Sequence, residues 1–219
     1  MAFNFAGGTD KIYYGTLGGP WPSVGCMSFR LKTTQTTFNA VPVALWSSHS
    51  RLGFGFIINN TANKVLAITV DGSGTVISMI SATSVNDGNW HTVALNYDTG
   101  AGNTNTLYID GNSEASGSAA GGWGPIATLD QVVALGDGYN SFWAPYVGSL
   151  AEIALWNRQL DANEINILSK DMSPARIAPN ALILHAPLVG PARDRCGKAL
   201  TGPTGTTTSV HPRVIYPEI

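Results

Sequence analysis

Four glutamates, Glu114, Glu152, Glu164 and Glu218, are the residues of this chain with the plainest capacity for chemistry. Two carboxyl groups held roughly 5 to 9 Å apart can cleave a glycosidic bond, one as acid and one as nucleophile or base. A strand builds such a pair most simply from alternate residues, because side chains two apart share a face. No two carboxylates occupy alternate positions of any strand that the sequence pattern supports, so no enzyme is expected. His49, His91, His185 and His211 are scattered, with no i, i+2 or i, i+4 pair to face one zinc ion.

Oxygen ligands are no better organised. Calcium takes roughly six to eight oxygens, usually from several carboxylates and amides. Asp71, Asp110, Asp137 and Asn140 fall in turn-like stretches without an Asp-x-Asp cluster, and each reads more simply as a turn residue. No cofactor is therefore expected. The stretch Gly190 to Lys198 has the wrong glycine spacing for a phosphate-binding loop, and Ala199 stands where a hydroxyl residue belongs. Trp90 and His91 open a strand and are read as structural.

Aromatic side chains offer a different chemistry, stacking on a sugar face or anchoring a protein partner. Trp123 lies in a glycine-rich stretch, and Tyr139, Phe142, Trp143 and Tyr146 crowd into the segment before a late strand. These five are the candidate ligand- or partner-binding residues.

Charged residues make up only 12% of the chain, about half the usual ~25%, and the net charge is −2 with no run of like charges. Phosphate neutralisation needs clustered Lys and Arg, so nucleic acid is not an expected partner. No apolar run approaches the ~20 residues that span a bilayer, and no basic-then-apolar leader opens the sequence. Cys26 and Cys196 are too far apart for a metal knuckle or redox motif. Reduced thiols in a chain made in the cytoplasm are the simplest reading, with a bridge between them the other.

The elements that must position these side chains are mostly strands. Between Gly88 and Gly111, Val93, Leu95 and Tyr97 alternate, then Leu107 and Ile109, with a polar link from Thr99 to Asn105. Period-two alternation broken by a flexible link predicts an antiparallel hairpin, and Asp110-Gly111 suits the tight turn after it. Asp71 to Gly74 predicts a second hairpin. Met27, Phe29 and Leu31 alternate with Ser28, Arg30 and Lys32, which predicts a strand with one charged, solvated face. Gly111 to Gly124 is built of small residues and reads as a loop. Short strands, about ten in all, argue for a two-sheet sandwich. One helix is predicted, with Asp161 as N-cap and Glu164 completing a capping box, stopped near Met172-Ser173-Pro174. Prolines then crowd between Pro174 and Pro217. Residues 171–219 are expected to be a C-terminal arm packing on the sandwich or on a neighbouring subunit.

Three stretches carry a family resemblance. Asn89-Trp90-His91-Thr92-Val93-Ala94 with Leu107-Tyr108-Ile109-Asp110-Gly111 resembles the central signature of concanavalin A-like domains of the laminin-G and pentraxin type. Gly148 to Arg158, with Leu160 and the capped helix, resembles their late strand and helix, and Phe3 to Gly8 with Asp10 their first strand. The resemblance covers about residues 1–170 and implies an all-β, two-sheet antiparallel jelly roll with one short helix and an extended arm. The tail from His211 to Pro217 resembles tails of laminin-G-like virion proteins of tailed bacteriophages.

Together these readings imply a non-enzymatic structural protein of a bacteriophage virion, a capsid decoration protein or tail component. Its expected partners are the major capsid protein or tail proteins, with oligomers in the particle and synthesis in the host cytoplasm without a signal peptide. The alternative is a lectin-like module that attaches to host surface glycans.

Overall fold

The Asp110-Gly111 pair turns the chain with both residues at positive φ, 51° and 86°, the conformation a two-residue hairpin requires. A computed structural model describes this turn together with residues 2–8, 10–14, 22–46, 53–58, 63–71, 74–122, 132–136, 143–188, 196, 200–212 and 214. The strands are β1 (Ala2–Ala6), β2 (Lys11–Tyr14), β3 (Val24–Lys32), β4 (Ala40–Trp46) and β5 (Gly53–Ile58). Next come β6 (Lys64–Asp71), β7 (Gly74–Ser84), β8 (Trp90–Asp98), β9 (Asn105–Ile109) and β10 (Asn112–Gly117). β11 (Val132–Leu135), β12 (Ala144–Pro145) and β13 (Val147–Trp156) precede helix α1 (Ala162–Ser169). β14 (Leu182–Ala186), β15 (Leu200–Thr204) and β16 (Thr207–Ser209) follow it.

Two sheets pack face to face. The first runs β10-β9-β8-β3-β13-β1-β16, with β14 also on β13; the second runs β15-β2-β11-β4-β5-β6-β7, with β12 on β4. Both expected hairpins are present, β6–β7 closing with Asp71 opposite Gly74 and β8–β9 in antiparallel register. Inward residues of the sheets, among them Phe5, Phe29, Leu31, Phe56, Ile58, Tyr97, Leu107 and Leu150, form one buried core. Phe29 and Phe56 meet edge to face across the sheets, with centroids 4.8 Å apart.

The helix is the one the sequence specifies. Asp161 accepts from the Glu164 amide at 2.9 Å, and the Glu164 carboxylate returns to the Asp161 amide at 2.9 Å. Ile165 and Leu168 turn inward onto the outer face of the first sheet. There Cys26, Ala94, Ala154 and Trp156 lie beneath Leu160, Ile165, Leu168, Ile177 and Ala181 as a second apolar layer. Trp156 Nε1 donates to the Ile177 carbonyl at 2.7 Å, and the Asn96 amide exchanges two bonds with the Leu160 backbone.

That layer corrects the reading of β3. Its second face is not solvated: Ser28 is 1% and Arg30 5% exposed. The Arg30 guanidinium pairs with Asp171 at 2.7 Å and donates to the Leu168 carbonyl at 3.1 Å, so a buried cation sits at the helix C-terminus. Period-two alternation cannot reveal a covering layer that comes from 138 residues later.

One further expectation changes. Asn112–Gly117, within the small-residue stretch, is a strand, because an edge strand is held by main-chain bonds and needs no apolar row. The C-terminal segment is woven into the sandwich. β14 pairs with β13 and places Leu184 and Ala186 in the core, while β15 and β16 edge the second and first sheets.

Candidate functional site

Of the five candidate aromatics, Tyr146 and Trp143 lie among the described residues. Tyr146 is fully buried, stacks edge to face on Phe5, and donates its hydroxyl to the Lys32 and Ser149 carbonyls. Burial drives its phenol far above the ordinary range, and it is a core residue, not a ligand contact. Trp123, Tyr139 and Phe142 lie outside the described residues.

Trp143 is the one that reaches a surface. β12 lays it alongside β4, with Ala144 N donating to the Asn39 carbonyl at 2.9 Å and Ala144 opposite Ala40. Asn39 holds a positive φ of 56°, which bends the chain into β4. Trp143 packs, part-buried, on the cluster of Val41, Ala44, Ile57 and Leu66, of which Ala44, Ile57 and Leu66 alternate with the core positions Val43, Phe56, Ile58, Val65 and Ala67. It therefore sits on the outer face of the second sheet. From there the face opens across the edge: Ile68 is part-buried, and its neighbours on β7, Ser78 and Ile80, are exposed. The floor is flat where Gly55 lies beside Ala44. A part-buried indole at the surface suits stacking on the apolar face of a sugar ring.

The outer face of the first sheet is covered by α1 and the turns after it. This asymmetry could not be read from the aromatics alone. It follows from where the helix packs.

The described glutamates are occupied elsewhere. Glu114 accepts from the amides of Ala82 and Thr83 at 2.7 and 2.9 Å and from the Thr83 hydroxyl at 2.8 Å, joining β10 to β7. Glu164 serves the helix cap and the Arg158 guanidinium, whose hydrogen bonds hold its carboxyl below the usual range. Glu152 is 2% exposed and lies against His185 at 2.9 Å and His211 at 3.1 Å. Nothing in the sequence pattern marks that cluster, because its members are 33 and 26 residues apart.

His91 and Asp110 have the structural role expected of them. Nδ1 of His91 meets Asp110 at 2.7 Å and Nε2 meets Asp87 at 3.1 Å, while Asp110 also accepts from the Thr92 amide at 2.8 Å. The carboxylate bonds raise the His91 pKa above its ordinary 6.5, led by Asp110. The amide and side chain of Asn89, with His91 behind them, lower Asp87 to about 2. Among the described residues, no three His, Cys, Asp or Glu groups converge on a metal position.

A family model described as the concanavalin A-like lectin/glucanases superfamily, of laminin-G type, matches residues 25–166. A pentraxin-domain-containing protein of Rattus norvegicus, which also carries sushi, von Willebrand factor type A and EGF domains, is 26% identical over 150 residues. That match spans 61% of this chain and 4% of the rat protein, so the chain corresponds to a small part of its relative. Among solved structures, a protein of Bacteroides ovatus described as carbohydrate-binding superposes with a TM-score of 0.69 at 16% identity, covering 98% of this chain and 61% of that one. The CBM40 module of a Ruminococcus gnavus sialidase superposes at 0.58 and 20% identity, covering 77% of this chain and 96% of the module. At these identities the likeness is one of fold.

Proposed function

The chain belongs to the concanavalin A-like lectin/glucanases superfamily, and from that membership we propose that it is a non-enzymatic carbohydrate-binding module. Its sugar surface is the outer face of the second sheet, with Trp143 as the stacking platform. The observation that carries this reading is the part-buried indole of Trp143 packed on the Val41, Ala44, Ile57 and Leu66 cluster, on the side of the sandwich away from the helix. Fold neighbours described as carbohydrate-binding, one of them also solved with α2,3 sialyllactose, support it. The absence of catalysis is supported by the described glutamates, each of which is engaged within the fold.

The test is a glycan array probed with the labelled chain, followed by titration of the best ligand into wild type and Trp143→Ala. A central tryptophan contact is worth about 2 kcal/mol or more, so the variant should bind roughly 30-fold more weakly with its fold intact. An empty array, or equal binding by a folded Trp143→Ala, rejects the site.

The virion reading, with capsid or tail proteins as partners and cytoplasmic assembly, is supported by the likeness of the tail from His211 to Pro217. It is compatible with sugar binding, because a particle can carry a lectin-like subunit. Removing residues 171–219 would not test it, since that cut takes Leu184 and Ala186 out of the core. Cosedimentation of the intact chain with particles lacking it is the direct measurement, and failure to bind rejects a decoration role.

A further inference from the structure

One continuous segment closes the same side of both sheets. β15 lies beside β2 at the edge of the second sheet, and β16 beside β1 at the edge of the first. Gly205 turns the chain between them at φ 73°, where any side chain would collide with the Asp10 carboxylate. β16 buries little: Thr207 and Thr208 are exposed, and Val210 just after it is 85% exposed. Its side-chain bonds are peripheral, Ser209 to Ser149 at 2.9 Å and Asn4 to Thr207 at 3.5 Å. The deep anchor comes next. Pro212 is buried, and His211 Nε2 reaches the Glu152 carboxylate at 3.1 Å and the Pro187 carbonyl at 3.0 Å.

β16 is held mainly by main-chain pairing, and a strand held so, with one plug after it, can be replaced by its equivalent from another molecule, because every contact is reproduced. The vacated edges of β1 and β2 would present unpaired main-chain groups, which are templates for an incoming strand. Residues 187–199 join β14 to β15, and a stretch of that length extends to roughly 40 Å, enough to cross to a neighbour. We propose that residues 200–212 are an exchangeable strap. In a second copy of this chain the strap takes the same places beside β1 and β2, and its His211 plugs onto the other copy's Glu152. The result is a strand-exchanged dimer.

The register supplies a test. Asn4 stands opposite Thr207, so Asn4→Cys and Thr207→Cys mark the two sides of the β1–β16 contact. In a Cys196→Ser background, the double variant should close a disulfide within one chain at high dilution. Differently tagged single variants, mixed at high concentration and then oxidised, should give a covalent heterodimer linked through positions 4 and 207. Adding His211→Ala to both should speed its appearance by roughly tenfold, the factor that about 1.4 kcal/mol of lost anchoring represents. Failure of the double variant to cross-link shows that the strap does not lie on β1 and overturns the proposal. So does a double variant that cross-links within the chain while the mixed singles, even with His211→Ala, never link.

Discussion

Oε2 of Glu152 lies 2.9 Å from Nε2 of His185, with the histidine side chain 0% and the glutamate 2% exposed. Glu152 stands where β13 passes from pairing with β1 to pairing with β14, and it holds a positive φ of 53° within the register shift against β3. The irregular backbone turns the carboxylate to both C-terminal histidines, so one side chain ties β14 and the strap to the central strand.

Removing the shared partner of two histidines leaves polar groups unsatisfied, at about 1–3 kcal/mol for each one that is buried. Glu152→Ala should lose about that much stability in urea unfolding. Glu152→Gln keeps the shape but turns an amide toward one imidazole, and should lose about 1–3 kcal/mol. If both variants unfold at the wild-type midpoint, the cluster does not hold the C-terminal strands.

The pair of carboxylates around His91 predicts a pH profile. A histidine with a raised folded pKa stabilises fully below 6.5, and the gain fades as pH rises through the raised value. Asp87 acts in the opposite sense, stabilising above 3.8 and losing its effect as pH falls through about 2. His91→Gln should therefore flatten the decline in unfolding midpoint on the alkaline side of 6.5. An NMR titration placing the His91 ring at or below 6.5 would contradict the geometry.

Glu114 covers two amides at the free edge of β7. Glu114→Ala should leave Ala82 and Thr83 to exchange with solvent at least tenfold faster, measured by amide hydrogen exchange. It should also cost about 1–3 kcal/mol. Unchanged protection at those two amides would mean the carboxylate is not their partner in solution.

The two thiols should behave differently. Cys26 is buried and desolvation pushes its thiol well above the ordinary range, whereas Cys196 is exposed. A disulfide-exchange reagent should titrate one thiol in the native chain and both in denaturant. Two fast native thiols would place Cys26 outside the layer beneath α1.

What could be read ahead was local. The Asp110-Gly111 turn, the Asp161/Glu164 capping box and the alternation of β8 are specified by residues within a few positions of each other, so the sequence displays them directly. Long-range contacts left no such mark. Arg30 looked solvated because its cover comes from Leu168 and Asp171, and Glu152 looked like a lone carboxylate because only topology brings His185 and His211 to it. β15 and β16 escaped notice since Thr, Gly and Pro at an edge give no apolar rhythm. At the candidate site, Trp143 and Tyr146 sit three residues apart with the same aromatic character, yet one lies on the sheet and the other beneath it.

The layer of α1 over the first sheet also gives the molecule a front and a back. Copies fixed to a support through the helical side would all turn the Trp143 face outward in parallel. Linked sites of that kind gain avidity of about 10²- to 10⁴-fold without any new contact. A single shallow face of modest affinity is then sufficient, provided that many copies point the same way.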